Sequence, residues 1–274
     1  MEQNKPLVVC SGLTKSYGSF TALKNLDLNL ERGRFIGLLG PNGSGKTTTI
    51  KLLNGLLQPT SGTITVDGAQ PGCYTHSIVS YLPDRAYLSD WMKVTDVIDF
   101  FSDFYRDFDR VKAIEMFKAL RISPLDRLKT LSKGTKEKVQ LILTMSRRAQ
   151  LYVLDEPSIG LHPSNIVGLT GVMHDLVADG NSVILVDHDT QILKEADWIV
   201  EMGPEAGAKG GHVIAEGNIP MIEENPNSQI GPFLSGKAET KLRERAKKDE
   251  LFANGTVHLS TSQIHTVKPL EVDI

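Results

Sequence analysis

The run Gly40-Pro41-Asn42-Gly43-Ser44-Gly45-Lys46-Thr47 fits the pattern G-x-x-x-x-G-K-[ST], in which each residue type has a physical task. The glycines let backbone N–H groups wrap around phosphates, and the amino terminus of a following helix adds partial positive charge. Lys46 reaches β- and γ-phosphates, Thr47 offers a hydroxyl to magnesium, and Thr48 extends the same candidate nucleotide contact. A second cluster ends the apolar run Leu151-Tyr152-Val153-Leu154 with Asp155 and Glu156. One carboxylate there, Asp155, can hold magnesium, and the next, Glu156, can orient an attacking water. His188, in Val186-Asp187-His188-Asp189, closes another apolar run and is placed to approach a γ-phosphate. The expected ligands are therefore ATP and Mg2+, with Lys46, Glu156 and His188 as catalytic candidates and Thr47 and Asp155 as metal candidates.

These groups need a scaffold that brings strand ends and loops together. Phe35 to Leu39 is a continuous apolar run entering the glycine-rich loop, and Thr47 to Leu57 places Ile50, Leu53 and Leu57 on one helical face. Thr63 to Val66 alternates before the turn signal Asp67-Gly68. From about Val94 to Leu143 the period becomes helical, with Val97, Phe101, Phe104 and Phe108 on one stripe and a second helix over Val111 to Leu120. Apolar strands return at Leu151–Leu154 and Ser182–Val186, and acidic or histidine residues follow them, where open parallel sheets place ligands. Trp198–Val200 and His212–Ile214, joined by the turn-rich Gly203–Gly211, predict a hairpin. Beyond Gly217 the chain turns polar, and Lys241–Lys248 reads as a solvated helix of mixed charge.

Composition narrows the classes further. A net charge of −3 and 40% hydrophobic residues describe an ordinary globular chain and argue against a generally basic nucleic-acid binder. Cys10 and Cys73 stand far apart, so neither a disulfide framework nor a zinc site is signalled. The first residues lack the apolar run of a signal peptide, and no apolar stretch is long enough to span a bilayer.

From Leu7 to Gly217 these residues resemble the ATP-binding cassette family. Leu131-Ser132-Lys133-Gly134-Thr135 is similar to the family signature Leu-Ser-Gly-Gly-Gln; Ser132 and Gly134 match, and Lys133 and Thr135 depart. The resemblance implies an α/β fold, a P-loop ATP-binding cassette with a RecA-like sheet core, an antiparallel β subdomain and an inserted helical subdomain over about 84–148. It implies that Tyr17 stacks on adenine, that Ser132 and Gly134 touch the nucleotide of an opposite subunit in a homodimer or heterodimer of cassettes, and that Asp84 stands near magnesium where the family usually has glutamine. The cassette would occupy residues 1–217.

Two branches of the family are represented. Residues 1–150 resemble the ATP-binding subunit of an exporter, which implies a separate transmembrane permease subunit and a cytoplasmic position at the inner face of the cell membrane. Eight aromatic residues from Tyr81 to Phe108 fall where such a partner would dock, although their spacing suits a core equally. Residues from 151 onward, including Ser158-Ile159-Gly160-Leu161-His162 and Gly203-Pro204-Glu205-Ala206-Gly207, resemble the A subunit of the nucleotide-excision repair nuclease, for which DNA would be the partner. The chain therefore reads as a composite joined near Leu151–Pro157. The segment 218–274 is expected to be an extension, and the similarity of Thr21–Leu30 to His265–Ile274 suggests a second cassette cut off at its first strand.

Overall fold

The computed structural model describes residues 5–85, 87–158, 163–238, 258–261 and 270–273. One compact unit runs to Lys237, and a second comprises residues 238–274. In chain order the first unit contains β1 (Val8–Tyr17), β2 (Phe20–Leu30), β3 (Phe35–Leu39), α1 (Lys46–Leu53), β4 (Ser61–Val66), α2 (Cys73–Ile78) and β5 (Val79–Leu82). There follow α3 (Val94–Phe104), α4 (Arg110–Ala119), α5 (Lys133–Met145), β6 (Leu151–Asp155), α6 (Pro163–Ala178), β7 (Ser182–Val186) and α7 (Thr190–Leu193). It closes with β8 (Trp198–Gly203), β9 (His212–Gly217), α8 (Ile219–Glu224) and α9 (Gly231–Leu234).

Six strands form the central sheet in the order β5-β6-β7-β3-β8-β9, parallel except for the β8–β9 hairpin. The strands β3, β6 and β7 are buried along their whole length, which explains why they read as unbroken apolar runs: helices or a second sheet cover both faces. A three-stranded antiparallel sheet, β2-β1-β4, packs with α1 on one face through Leu13, Leu23, Ile36, Leu38, Ile50 and Val200. The sheet interleaves the two sequence halves, because β3 lies between β7 and β8.

Local rules place the ends. Helix α1 stops at Leu53, short of the expected Leu57, because Gly55 takes a left-handed φ of 68°. Its N–H donates to Leu52 O at 3.0 Å and that of Leu56 to Lys51 O at 2.8 Å, a Schellman closure. Arg147 is buried at the edge of the sheet, where it donates to Val79 O at 2.7 Å, pairs with Asp107 at 3.0 Å and lies over the Tyr105 ring. It thereby ties β5 to the helical subdomain.

That subdomain has its own core: Val97, Ile98 and Phe101 of α3 meet Ala113 and Phe117 of α4 and Val139, Ile142 and Leu143 of α5. The stripe expected along α3 holds except at Phe104. Val97 and Phe101 are buried, and Phe108, past the helix end, packs against the same core with its ring centroid 5.7 Å from that of Phe101, but Phe104 is 67% exposed. Phe104 instead stacks on Phe100, also exposed, with centroids 5.9 Å apart.

The expected boundary at Gly217 falls inside the compact unit. Ile222 of α8 and Leu234 of α9 are buried in the second sheet-face core, and the buried carboxylate of Glu201 on β8 accepts from Ser228 Oγ (2.6 Å), Gln229 N (2.9 Å) and Ile230 N (3.1 Å). In the second unit, β10 (His258–Thr261) pairs antiparallel with β11 (Leu270–Asp273), which covers the last part of the suspected repeat; residues 265–269 lie outside the described residues.

Candidate active site

The phosphate loop leaves the carboxyl end of β3, near the middle of the sheet. Two of its glycines are required by space as well as by backbone. A Cβ on Gly40 would sit 2.1 Å from Met202 O, and one on Gly45 would sit 2.6 Å from Leu23 Cδ2; both residues have φ values that side chains avoid, 137° and 107°. Gly45 caps α1 without a side-chain acceptor, and the first turn carries no acidic residue, so the helix amides are left for an anion. The Lys46 ammonium is folded over the loop, donating to Gly40 O at 2.7 Å and Pro41 O at 3.1 Å. Burial lowers its pKa, and the charges of Glu156 and Asp155 oppose that shift. Ser44 is buried with its Oγ unpartnered.

A cleft of about 170 Å³ opens beside the loop, lined by Asn42, Gly43, Gly45, Lys46, Thr47 and Thr48, by Glu156, and by the aromatics Tyr17 and Phe20. Tyr17 and Phe20 are direct cross-strand partners at the end of the β1–β2 ladder and so share a face. Sequence reasoning found Tyr17 and missed Phe20; the register of the hairpin is the signal that reveals it.

Asp155, at the end of β6, is 3% exposed. Burial pushes its pKa up to about 6, the Asp84 and Glu156 charges add to the rise, and Lys46 and Lys51 oppose it. Its Oδ2 is buried without a hydrogen-bond partner. An unpartnered buried carboxylate oxygen beside further acidic groups fits a cation, and Thr47 in the first turn of α1 has a hydroxyl of the kind that magnesium takes as a ligand. Asp84 joins Asp155, Glu156, Lys133 and Lys136 around a second cavity of about 330 Å³.

Glu156 adopts a left-handed backbone, φ 55°, that a non-glycine residue reaches only at a cost. Its N–H donates to Val186 O at 2.7 Å, which fixes the turn against β7. His188 Nε2 lies 3.6 Å from Glu156 Oε1. The turn that presents His188 is built on buried Asp187, whose Oδ1 accepts from His188 N (2.7 Å), Asp189 N (2.9 Å) and Ser158 Oγ (2.7 Å). Asp187 was not singled out in the sequence, since an aspartate beside a histidine gives no sign of which one is buried. His162 lies outside the described residues.

Ser132 and Gly134 are not brought to this chain's own phosphate cleft. Ser132 is exposed as the amino-terminal cap of α5, accepting from Thr135 N at 3.2 Å. The structure thus gathers Tyr17, the loop residues and Glu156 around one cleft, brings Asp84 and Asp155 together on its flank, and leaves the signature residues facing outward.

A family model described as ABC transporter matches residues 23–159, half of the chain. The UvrABC system protein A of Bradyrhizobium diazoefficiens is 38% identical over 154 residues, 52% of this chain and 15% of that protein. The corresponding protein of Pseudomonas aeruginosa is 42% identical over 120 residues, 43% of this chain and 12% of its own length. The chain therefore spans under a fifth of these relatives. Among solved structures, an ATP-binding subunit of an ABC transporter has a TM-score of 0.70 at 24% identity, covering 85% of this chain and all of that one. A dimeric post-hydrolysis cassette bound to ADP and Pi scores 0.67 at 22% identity, covering 77% and 98%. At such identities these likenesses speak for the fold. With half its length under the family model and the same fold as solved cassettes, this chain belongs to the ABC transporter family.

Proposed function

We propose that this cassette closes on a second cassette over ATP and drives a separate membrane subunit, as an exporter ATPase. In this reading the phosphates lie on the loop from Gly40 to Thr47, Tyr17 stacks on the base, and Thr47 and Asp155 hold magnesium with Asp84 close by. Glu156 orients the attacking water, Lys46 and His188 meet the γ-phosphate, and Ser132 and Gly134 complete the site of the opposite cassette. Magnesium would supply charge neutralisation at the phosphates. No helix among the described residues is long and apolar enough to cross a membrane, and this reading assigns the membrane part to a separate subunit.

The observation that carries the transport reading is the stacked pair Phe100 and Phe104 on α3, an apolar face left uncovered in the compact unit. The test is to isolate the tagged chain from membranes of its native cells. It should co-purify with a multi-span protein, and Phe100→Glu with Phe104→Glu should release it while leaving its ATPase intact. A chain that stays out of the membrane fraction in both forms speaks against transport.

The sequence identity to UvrABC system protein A favours a second reading, an ATPase that serves DNA repair. Duplex DNA should then raise the ATPase rate at physiological salt, whereas the exporter reading expects no change.

A further inference from the structure

The segment between β8 and β9 is rich in glycine, and no role in the site described above accounts for it. We propose that this loop, residues 204–211, is a positioning brace that holds the phosphate loop in its anion-binding conformation; the proposal rests on the reading of Gly40 to Thr47 as the phosphate site. Two hydrogen bonds cross between the loops. Gly211 N donates to Ser44 O at 3.0 Å, and Gly207 N donates to Gly43 O at 3.4 Å. In a planar trans peptide the carbonyl and the next N–H point in opposite directions. Holding Ser44 O toward Gly211 therefore turns the Gly45 N–H the other way, toward the cleft that Gly43, Gly45 and Lys46 line. The brace is itself anchored: Lys24 N on β2 donates to Gly211 O at 3.1 Å, and Gln229 Nε2 donates to Pro204 O at 2.6 Å.

The packing is too close for side chains. A Cβ on Gly211 would lie 2.6 Å from Ala22 O, and one on Gly210 would lie 2.5 Å from Glu205 O, 3.2 Å from Ser44 Cα and 3.3 Å from Gly43 O. Gly43 in turn leaves room for Ala206, whose Cβ would be 3.1 Å from a Cβ placed there. Gly210 is the informative position. Its φ of −86° and ψ of −172° are comfortable for alanine, so a methyl group there adds no backbone strain and acts by contact alone, displacing Glu205 O within the brace and crowding Ser44 and Gly43 of the phosphate loop.

The experiment measures Kd for ATP, ADP and adenosine, together with Tm, kcat and KM, on the full chain carrying Gly210→Ala. Lys209→Ala, at an exposed side chain that pairs with Glu205 within the same loop and makes no bond to the phosphate loop among the described residues, is the control. A misdirected amide should weaken ATP and ADP about tenfold, the scale of one oriented hydrogen bond, while adenosine, which has no phosphate, stays within about twofold. KM should rise more than kcat falls, and Lys209→Ala should match wild type. Unchanged ATP affinity in a folded Gly210→Ala protein overturns the proposal, as does an equal loss for all three ligands, which would make the loop a general part of the fold.

Should Gly210→Ala fail to fold, amide exchange in the wild-type chain decides. Coupling between loops is reciprocal, so ADP should slow exchange at Gly207 and Gly211. No change on adding saturating ADP overturns the brace. Lys46→Ala separates the two levels of the argument: if that variant binds ATP like wild type, the phosphate-site reading fails, and the brace proposal falls with it for a different reason.

Discussion

His188 Nε2 stands 3.6 Å from Glu156 Oε1, so the two candidate catalytic side chains from different strand ends approach each other directly. The approach follows from two backbone devices, the left-handed turn at Glu156 and the Asp187-centred turn that presents His188. In the proposed mechanism Glu156 orients water while His188 reaches for the terminal phosphate. Glu156→Gln keeps the shape and removes the charge. It should bind ATP within a few-fold of wild type and lower turnover about 10²–10⁴-fold, the range for losing a positioned base. Single-turnover hydrolysis with a parallel binding titration checks both halves.

The outward-facing signature gives a complementation test. Ser132 caps α5 on the exposed side of the chain, apart from its own phosphate cleft. Lys46→Ala and Ser132→Arg chains should each be inactive alone. Mixed, they should recover part of the wild-type ATPase rate, because one site of the heterodimer is then assembled from two intact halves. Absence of recovery in a mixture shown to contain heterodimer would count against a shared site.

The raised pKa of Asp155 ties stability to pH. Its folded value of about 6 lies above the ordinary 3.8, so the folded chain holds the proton more tightly. This group's contribution to stability is therefore greatest at or below about pH 4 and is lost as pH rises through 6. Asp155→Asn, which carries no charge to bury, should stabilise the magnesium-free chain by about 3 kcal/mol at pH 7.5 and by well under about 1 kcal/mol at pH 4. In wild type, magnesium should raise Tm at pH 7.5 and progressively less below pH 6, where protons compete for the carboxylate; the variant should not respond. Denaturant titrations at the two pH values, with and without Mg2+, provide the check.

The carboxyl-terminal boundary also makes a prediction. Truncation after Lys237 should leave ATP affinity unchanged, since the compact unit ends there. Truncation after Gly217 should leave the chain insoluble or molten. It strips Ile222 and Leu234 from the core and takes away three donors from the buried Glu201 carboxylate. Leaving such a carboxylate without those donors costs at least about 3 kcal/mol, against a typical total of about 5–15 kcal/mol. Far-UV and near-UV circular dichroism of the two truncations distinguishes these outcomes.

What was legible in the sequence was what local chemistry dictates. The phosphate loop announces itself because backbone wrapping demands glycine at fixed spacing, and Asp155 and Glu156 stand out because an apolar strand has no packing reason to end in two acids. The unbroken runs of β3, β6 and β7 betrayed a sheet covered on both faces. Features fixed by long-range packing were not legible. Phe20 enters the cleft through hairpin register, Asp187 matters through bonds to Ser158 far along the chain, and residues 218–237 look like a polar tail until Glu201 is seen to need them. Phe104 fitted a core stripe by spacing, yet the helix ends there and turns its ring outward.

The left-handed backbone at Glu156 sets stability against activity at a single position. Glycine would adopt that φ without the penalty of about 1–2 kcal/mol that a side chain incurs. It would also remove a carboxylate that raises the pKa of Asp155, and so relieve a second unfavourable interaction. Glu156→Gly should thus be a more robust protein with no means of orienting water. Selection for thermal tolerance alone, under mutational drift or in a laboratory screen, would be drawn toward that substitution, and only selection for turnover keeps the acid in place.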